Sequence, residues 1–446
     1  PGDVVVVRPG SYRGFYLDTS GTAEMPITFR GEPGATIEED NARTPDGINL
    51  EGASFVVIEG FTVVGATRAG IRAVLCEHVT IRNNRADMNG RWGIFTGFCD
   101  DLLIEDNECS RSQVEHGIYV SNSGDRPVVR RNRLWGNRAN GLHMNGDLSA
   151  GGDGVISGAL VEQNVIWDNG RGGGSGINGD GVQDSVIRNN LIYENHASGI
   201  SLYRIDGGAP STGNLVIHNT VVQAADGRWA LNIQNASTGN RVLNNILLTR
   251  HAFRGAIDVS ADSLEDFTSE HNVVVGRFTI DGGDTVMDLA EWRAATGQDA
   301  NSIEATIDEV FVDAAGGDYH LSATSPALDR GTATDAPPTD FEGQPRPLGS
   351  AVDVGADERC PDPCDAPIDA GMPGGDAGPR QDAGPRDGGG SAHSDGGDPR
   401  DAGLASDAGG GADAGGCGCR AGASSTAPGW LALALAALVR RRRAKA

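Results

Sequence analysis

Short segments of alternating hydrophobic and polar residues recur along most of the chain. One recurrent phrase is an alternating segment that ends in two polar residues, as in residues 79–84 (VTIRNN). Aligned on its last polar residue, this phrase recurs at Asn84, Asn107, Asn132, Asn164, Asn190, Thr220, Asn245 and Asn272. A second phrase, a small residue followed by an aliphatic one, interleaves with the first from Gly47-Ile48 to Ala256-Ile257. Alternation with a period of two predicts short β-strands, separated here by Gly and Asn turns.

A repeat unit this short cannot bury its own apolar face, so the units must stack on one another. The pattern predicts an all-β fold: a single-stranded, right-handed parallel β-helix of about nine or more coils. The recurrent Asn tolerates the left-handed bend between two strands, and its amide can hydrogen-bond to the Asn of the next coil. We therefore assign the Asn series a structural role.

The repeat defines the expected domain boundaries. Residues 1–274 are predicted to form the β-helix, and residues 275–359 an irregular C-terminal cap with one short helix at 287–296 ending at Gly297. Residues 360–416, mostly Ala, Asp, Gly and Pro, have the composition of a disordered acidic linker. Residues 417–446 are predicted to be a sorting signal.

Charge excludes one class of function. The chain has 61 acidic and 36 basic residues and a formal net charge of −25, and its single lysine is Lys445. Binding to a phosphate backbone requires a basic footprint, so no nucleic-acid partner is expected. A polyanion would also be repelled at long range, unless a local arginine patch or a bound cation intervened.

The C-terminal segment combines three features in order. Cys417 and Cys419 precede a short apolar run at 430–439, and an arginine cluster follows at 440–443. This arrangement resembles the MYXO-CTERM sorting signals of myxobacteria. The resemblance implies export, processing near Cys417 or Cys419 by sorting machinery, and display at the cell surface. Because the chain starts at Pro1, a signal peptide is expected upstream.

The first strands carry another resemblance. Residues 1–5 (PGDVV), 8–12 (RPGSY) and 26–30 (PITFR) are similar to the first coil of chondroitinase-B-like and alginate-lyase-like proteins. These belong to the right-handed parallel β-helix repeat proteins, many of which bind or cleave carbohydrate. That family uses a Lys/Arg pair with a calcium-bound uronate, and no lysine precedes Lys445 here. The resemblance implies the fold and a glycan partner but transfers no activity.

Strand alternation identifies an outward surface. When the aliphatic residue of the second phrase points inward, the residues one and three positions later point outward. Over the coils from 118 to 203 these positions predict one exposed patch: Tyr119, His143, Asn145, Asn178, Asp180 and Tyr203. Long loops at 147–158, 170–175 and 206–213 flank the same coils, which favours a cleft.

Sugars suit such a face, because aromatic rings stack on pyranose and amides bond to hydroxyl groups. The ligand-binding candidates are Tyr119, Asn145, Asn178 and Asn232. If the site is catalytic, His143 or Tyr203 could transfer a proton, and Asp180 could orient His143 or act as an acid. Arg204 could neutralise a carboxylate of the substrate. Glu115 with His116 is a further candidate pair, although adjacent residues in a strand face opposite ways.

Three functions remain open from the sequence. The first is an enzyme that cleaves or isomerises polysaccharide, as a lyase, glycoside hydrolase or epimerase; the second is a non-catalytic glycan binder. The third is a structural or adhesive surface rod. Ca²⁺ is a candidate cofactor through the carboxylates of Asp147, Asp153, Asp180, Asp184 and Asp206, although their spacing matches no known calcium loop.

The cysteines give a geometric test of the coil register. Cys76 and Cys99 each lie five residues after an inward isoleucine and are predicted to be neighbours on adjacent coils. Coils stack at ~4.8 Å, inside the Cα range of a disulfide, so a disulfide and two stacked thiols both stay open. Cys109 is expected on another side and unpaired, and Cys360 with Cys364 is a second candidate disulfide.

Overall fold

Each coil of the chain contributes one short strand to each of three parallel sheets in the computed structural model, which describes residues 1–360. In this part of the chain the sheets contain 11, 12 and 11 strands. The predicted all-β, right-handed parallel β-helix is therefore confirmed, with more coils than the nine counted from the repeats.

The strand bounds show how the sheets alternate along the chain. Sheet 1 contains Val4–Val7, Ile27–Gly31, Val56–Glu59, Val79–Arg82, Leu103–Glu105, Val128–Arg130, Leu160–Glu162, Val186–Arg188, Leu215–Ile217, Arg241–Leu243 and Thr268–Glu270. Sheet 2 contains Gly10–Arg13, Ala35–Glu39, Thr62–Val64, Arg85–Asp87, Glu108–Ser110, Arg133–Trp135, Val165–Trp167, Leu191–Tyr193, Thr220–Gln223, Ile246–Thr249, Val273–Val274 and Ile303–Glu304. Sheet 3 contains Phe15–Leu17, Ile48–Glu51, Ala69–Val74, Trp92–Gly97, Ile118–Ser121, Leu142–Asn145, Ser175–Asp180, Ser198–Tyr203, Leu231–Ile233, Ile257–Val259 and Phe278–Thr279.

The remaining elements lie in loops and in the cap. Ile156–Ser157 pairs with Val182–Gln183 in a small parallel sheet, and Phe311–Asp313 pairs with Asp318–Leu321 in an antiparallel one. Short 3-10 turns span Leu148–Ala150 and Ala261–Ser263, and the α-helices are Leu289–Thr296 and Ile307–Val310. No helix within residues 1–360 combines the length and apolarity needed to cross a bilayer.

In-register pairing builds the core. In sheet 3, Ile94 pairs with Ile71 and Ile118, and Leu142 pairs with Ile177, so the predicted repeat position holds even across the long step from 142 to 177. All five side chains are fully buried. Burying one such side chain is worth about 1.5–3 kcal/mol, so the stacked aliphatic column is a main source of stability.

A ladder of buried amides runs along the corner between sheets 1 and 2. Asn132 accepts hydrogen bonds from the Asn107 backbone amide and side chain at 3.0 Å, and it donates to the Asn164 Oδ1 atom at 3.0 Å. The left-handed backbone expected at the ladder Asn lies one residue earlier, for example at Asn83 and Arg131, with φ of 54° and 53°. The structural role predicted for the series is therefore divided between two adjacent positions.

One member of the predicted series is wrong. Asn219, not Thr220, accepts a hydrogen bond from the Asn190 side-chain amide and donates one to Asn245. The reason is the register: Val216, rather than Ile217, pairs with the inward Ile187. Two further amide ladders follow the other corners, one through Asn137, Asn169 and Asn195, the other through Asn214 and Asn240. Sequence reasoning did not identify these shorter ladders.

The cap has two parts. The predicted short helix is present at Leu289–Thr296, where Asp288 and Glu291 form a capping box and Gly297 adopts a left-handed φ of 73°. Its Trp292 stacks on Phe278 at 5.1 Å and closes the last coil. The rest of the cap packs against the outer face of sheet 2, where Phe311 and Tyr319 join the apolar side chains of that face. Sheet pairing also continues past residue 274, through Phe278–Thr279 and Ile303–Glu304.

The predicted neighbours Cys76 and Cys99 are adjacent, but both are free thiols. The Cys76 amide donates to the Cys99 Sγ atom at 3.4 Å. Both residues lie in the turns that follow their sheet-3 strands, and both thiols are buried in the core. The disulfide alternative is therefore wrong for this pair. Cys109 is unpaired and lies in sheet 2, as expected.

Cys360 is disulfide-bonded, and its proposed partner Cys364 lies outside the described residues. So do the sorting candidates Cys417 and Cys419, and the linker and tail that follow residue 360.

The coil register predicts opposite effects for two neighbouring residues. Ile187→Asp should destabilise the protein by more than ~4 kcal/mol, because it buries an unpaired charge at a fully buried site. Val186→Asp, on the outward side of the same strand, should cost ~1 kcal/mol or less. Urea unfolding followed by circular dichroism measures both, and equal losses would contradict the register.

The amide ladder predicts a second stability difference. Asn132→Ala leaves the buried Asn107 backbone amide without its partner, removes the hydrogen bond to the Ile104 carbonyl, and should cost roughly 2–4 kcal/mol. Asn83→Ala alters only the exposed left-handed corner residue and should cost about 1 kcal/mol. If Asn132→Ala proved no less stable to unfolding than Asn83→Ala, the structural role assigned to the Asn series would be wrong.

Candidate functional site

The outer face of sheet 3 carries a continuous row of aromatic and polar side chains, one from each coil. Pairing between strands stacks them in the order Arg72, Phe95, Tyr119, His143, Asn178, Ser201, Asn232 and Asp258. A parallel row three positions after the inward aliphatic holds Ser121, Asn145, Asp180 and Tyr203. We call these two rows the sheet-3 face. The predicted juxtaposition of side chains is confirmed.

The predicted exposure is wrong. Tyr119, His143, Asn178 and Tyr203 are each only 5% exposed, and Asp180 is 2% exposed. One reason is that coils stacked at strand spacing bring neighbouring side chains into contact, so each ring covers the next. The Tyr119 and His143 rings, for example, stack with centroids 4.8 Å apart and planes 8° apart.

Two histidines from adjacent coils form a hydrogen-bonded pair. His116 Nδ1 lies 3.2 Å from the Asn140 backbone amide, which can only donate, so the His116 proton must reside on Nε2. His116 Nε2 lies 3.1 Å from His143 Nδ1 and donates to it. The His143 proton is thereby assigned to Nε2, which is buried and has no hydrogen-bond partner.

Burial sets the charge of this pair. It lowers the pKa of His143 to about 3, and burial followed by the neighbouring His143 lowers the pKa of His116 well below its usual range. Both imidazoles are neutral at physiological pH. His143 therefore presents an N–H donor to the face and is poorly suited to act as a general base.

Asp180 has a structural role that the sequence did not predict. Its two carboxylate oxygens accept the backbone amides of Ile205, Asp206 and Gly207 at 2.8–3.0 Å. Burial raises its pKa and these three hydrogen bonds oppose the rise. The predicted contact by which Asp180 orients His143 is wrong, because His116 occupies the His143 Nδ1 atom and Asp180 holds the following loop instead.

The remaining candidates form local hydrogen bonds. Asn178 donates to the Tyr203 hydroxyl at 2.8 Å, and Asn145 donates to the Tyr119 hydroxyl at 3.2 Å. Asn232 accepts from the Gln234 amide at 2.9 Å. These bonds orient the side chains along the face. Arg204 is exposed on the loop beside it, and its Nε donates to the Gly207 carbonyl at 3.3 Å.

Glu115 and His116 both belong to the site, although alternation placed them on opposite faces. They lie in the turn that precedes strand Ile118–Ser121, where strand alternation does not apply. Glu115 accepts from the Trp92 indole at 2.6 Å and pairs with Arg91, while His116 contacts Tyr119 edge to face. Arg91, Trp92, Glu115 and His116 therefore line the edge of the face at which the sheet-3 strands begin.

Two loops form one side of the face. Gly208 donates its amide to the Gly154 carbonyl at 2.7 Å, and Leu148 donates to the Asp206 carbonyl at 2.9 Å. Burial, and then the charge of Asp147, raises the pKa of Asp206. Within residues 1–360 the five predicted calcium-ligand candidates do not form a cluster of three carboxylates.

Solved structures with similar folds include enzymes and an adhesin. Pectate lyase Pel9A aligns over 80% of this chain and 88% of its own, with 16% identity and a TM-score of 0.52. An alginate lyase from Paenibacillus sp. str. FPU-7 aligns over 57% and 90%, with 21% identity and a TM-score of 0.46. PfbA, a surface adhesin of Streptococcus pneumoniae, aligns over 62% and 81%, with 10% identity and a TM-score of 0.40. Of these three, the pectate lyase alone aligns with a TM-score above 0.5, and at 16% identity it supports the shared fold alone.

No curated protein matches the chain significantly. A family model described as periplasmic copper-binding protein (NosD) matches residues 13–150 and 154–258. These segments contain the coils of the sheet-3 face and together make up more than half of the 446 residues. The chain belongs to the NosD family of β-helix proteins.

Proposed function

We propose that the sheet-3 face binds a neutral polysaccharide outside the cytoplasm. The observation that carries the proposal is the His143 Nε2 donor, which is buried without a partner at the centre of a row of aromatic rings and amides. An unsatisfied buried donor costs about 1–3 kcal/mol, and a sugar hydroxyl is an acceptor that would offset this cost. Because Nε2 has no solvent contact, glycan binding requires the side chains that cover this atom to move apart.

The chemistry along the face suits sugars. Phe95 and Tyr119 offer apolar rings on one side of His143, and Asn178 and Ser201 offer hydrogen-bonding groups on the other. Protein sites for sugars combine rings with a few directed polar groups. Because coils repeat at ~4.8 Å, an extended glycan would meet equivalent positions on successive coils.

Charge favours a neutral glycan over a polyuronate. Three arginines beside the face already have carboxylate partners: Arg68 pairs with Asp46, Arg72 with Glu51, and Arg91 with Glu115. Arg204, on the loop side, donates to the Gly207 carbonyl and lies close to the acidic Asp206 in sequence. Asp147 and Asp206 add negative charge at the loop side, and the whole chain carries −25. A polyanionic glycan would be repelled by this field.

Binding is better supported than turnover. His143 is neutral with its proton already on Nε2, the Asp180 oxygens are held by backbone amides, and the Tyr203 hydroxyl accepts from Asn178. One observation favours cleavage as a second candidate function: the raised pKa of Asp206 beside Asp147 suits a general acid.

The family description names copper, and the described His, Cys, Asp and Glu residues of the matched segments do not form a site for it. Copper prefers several His, Cys or Met ligands. Within residues 13–258 no three His, Cys, Asp or Glu side chains bring their ligand atoms together. The thiols of Cys76 and Cys99 are buried in the core, and His143 offers a single nitrogen.

The extracytoplasmic location rests on the family and on the tail. The matched family is described as periplasmic. The segment from Cys417 to the arginine cluster at 440–443 has the order of a sorting signal, and we propose surface display with the tail processed. A surface rod without glycan affinity is the alternative for the same location.

The glycan proposal predicts that full-length protein binds neutral polysaccharides on a glycan array and binds polyuronates much less. His143→Ala should weaken binding about tenfold or more, because it removes the free donor and a stacking ring. Tyr203→Phe, a near-isosteric change, should weaken it less. Because His143 is already neutral, affinity should not change between pH 5 and pH 8.

His78→Ala provides the control, because His78 is exposed on a corner away from the face and stacks on Phe55. Affinity unchanged in both face variants, with circular dichroism showing intact folds, would refute the proposal. Release of reducing ends that is abolished by Asp206→Asn would establish the cleavage alternative.

The location proposal predicts the C-terminus of the mature protein. Mass spectrometry of protein from the cell envelope should find a terminus near Cys417 or Cys419, because the arginine cluster is removed on processing. Recovery of the intact Ala446 terminus from that fraction would contradict it.

A further inference from the structure

A second cluster of polar side chains lies in the cap, far along the sequence from the family match. His320 belongs to strand Asp318–Leu321, Glu342 lies in the following turn region, and Asp357 lies near the end of the described chain. One ligand atom from each of the three lies within 4.8 Å of the others. The family model ends at residue 258, so this cluster is a feature of the chain beyond the matched coils.

The imidazole of His320 is oriented for ligation. Its Nδ1 atom lies 2.7 Å from the Asp318 carboxylate, which fixes one ring nitrogen as the donor. The Nε2 atom faces Glu342, with a separation of 3.4 Å from Oε2. A carboxylate on one ring nitrogen with the other directed at further ligands is the usual outer arrangement of a histidine metal ligand.

Negative charge is in excess at this point. Asp318, Glu342 and Asp357 surround one imidazole. Asp357 is almost fully buried and accepts one backbone amide, from Leu321 at 2.8 Å. Its pKa is raised to about 7, chiefly by burial. The buried cation nearby, Arg346, pairs with Glu358 and donates to the carbonyls of Asp353, Gly355 and Ala356.

An independent feature lies beside the cluster. The Gln344 side chain is buried, and its Nε2 atom is 3.4 Å from Glu342 Oε2. Its Oε1 atom is buried and accepts no hydrogen bond. The side chain that contacts Glu342 therefore also carries an amide oxygen without a partner, which is an additional candidate ligand for a cation.

We propose that His320, Glu342 and Asp357 form a binding site for a first-row divalent cation, with Zn²⁺ as the best fit. One nitrogen and two carboxylate oxygens are ligands that zinc accepts in a four-coordinate site. The Gln344 amide or a water supplies the fourth position, and Asp318 is a positioning residue. Calcium fits less well, because it prefers six or more oxygen ligands. The cation would join three separate segments of the cap over sheet 2.

The alternative state of the cluster contains a proton instead of a metal. Hydrogen bonding to Glu342 first, with further contributions from Asp357 and Asp318, raises the pKa of His320 to about 10. The imidazolium then bridges the carboxylates. Zinc binding replaces the Nε2 proton, which is released to solvent.

The test uses the full chain, stripped with EDTA and titrated with Zn²⁺ or Ca²⁺ by calorimetry and thermal melting. We expect the wild type to bind one equivalent of Zn²⁺ and to melt at a higher temperature when zinc is present. Both the zinc binding and the rise of the melting midpoint should be absent from His320→Arg and from Glu342→Gln. Asp318→Asn should weaken zinc binding about 10–100-fold. Co²⁺ should give a tetrahedral absorption band in the wild type that is absent from His320→Arg.

His196→Ala is the matched control. Its two ring nitrogens also face carboxylates, those of Asp226 and Asp168 at 2.7 and 2.8 Å, but on opposite sides of the ring. His320→Arg keeps a cation among the carboxylates, so its melting midpoint without zinc should remain close to that of the wild type. An equal zinc stoichiometry in wild type and His320→Arg, or no zinc-dependent stabilisation of the wild type, would overturn the proposal.

Discussion

The hydrogen bonds between successive coils are the constraint on which the rest of the structure depends. They place every residue of a strand directly beside the equivalent residue of the next coil, as in the series from Ile71 to Ile94 and Ile118. At ~4.8 Å spacing, any side chain must be compatible with its counterparts above and below. Aliphatic residues meet this requirement in the core by packing, and asparagines meet it at the corners by amide hydrogen bonds.

The same constraint shapes the outer faces differently. On sheet 1, Glu59 lies between Arg30 and Arg82 on the neighbouring coils and pairs with both, so opposite charges alternate along the stack. On sheet 2, Trp135, Trp167 and Tyr193 stack with centroids 5.9 Å apart before the cap covers the later coils. On sheet 3, the row changes from aromatic to polar at His143. Within residues 1–360, the sheet-3 row is the only one of the three rows with a buried donor at its centre that has no partner.

The cap shows how an irregular segment completes a repetitive one. Helix Leu289–Thr296 closes the open end of the core with Trp292, while the following residues cover the side of sheet 2. In doing so they bring together the buried carboxylates Asp340, Asp353 and Asp357, whose pKa values are raised by burial. A fold that buries several carboxylates needs cations there, which is the physical basis for the ion pair of Arg346 and for the proposed site at His320.

The sequence by itself determined the fold class, the coil register and the neighbours on the sheet-3 face, because all three follow from periodicity in a structure with local, repeated pairing. Tyr119, His143 and Asn178 could be placed side by side from their offsets alone. Tertiary structure decided what periodicity does not encode: that the face is buried, that His116 and not Asp180 contacts His143, and that Asp180 holds a loop. It also decided that His320, Glu342 and Asp357 meet, since they come from non-repeating segments. Turns and caps have no periodic sequence pattern, so the contacts of their side chains are set by the packing of the whole chain and cannot be predicted from residue spacing.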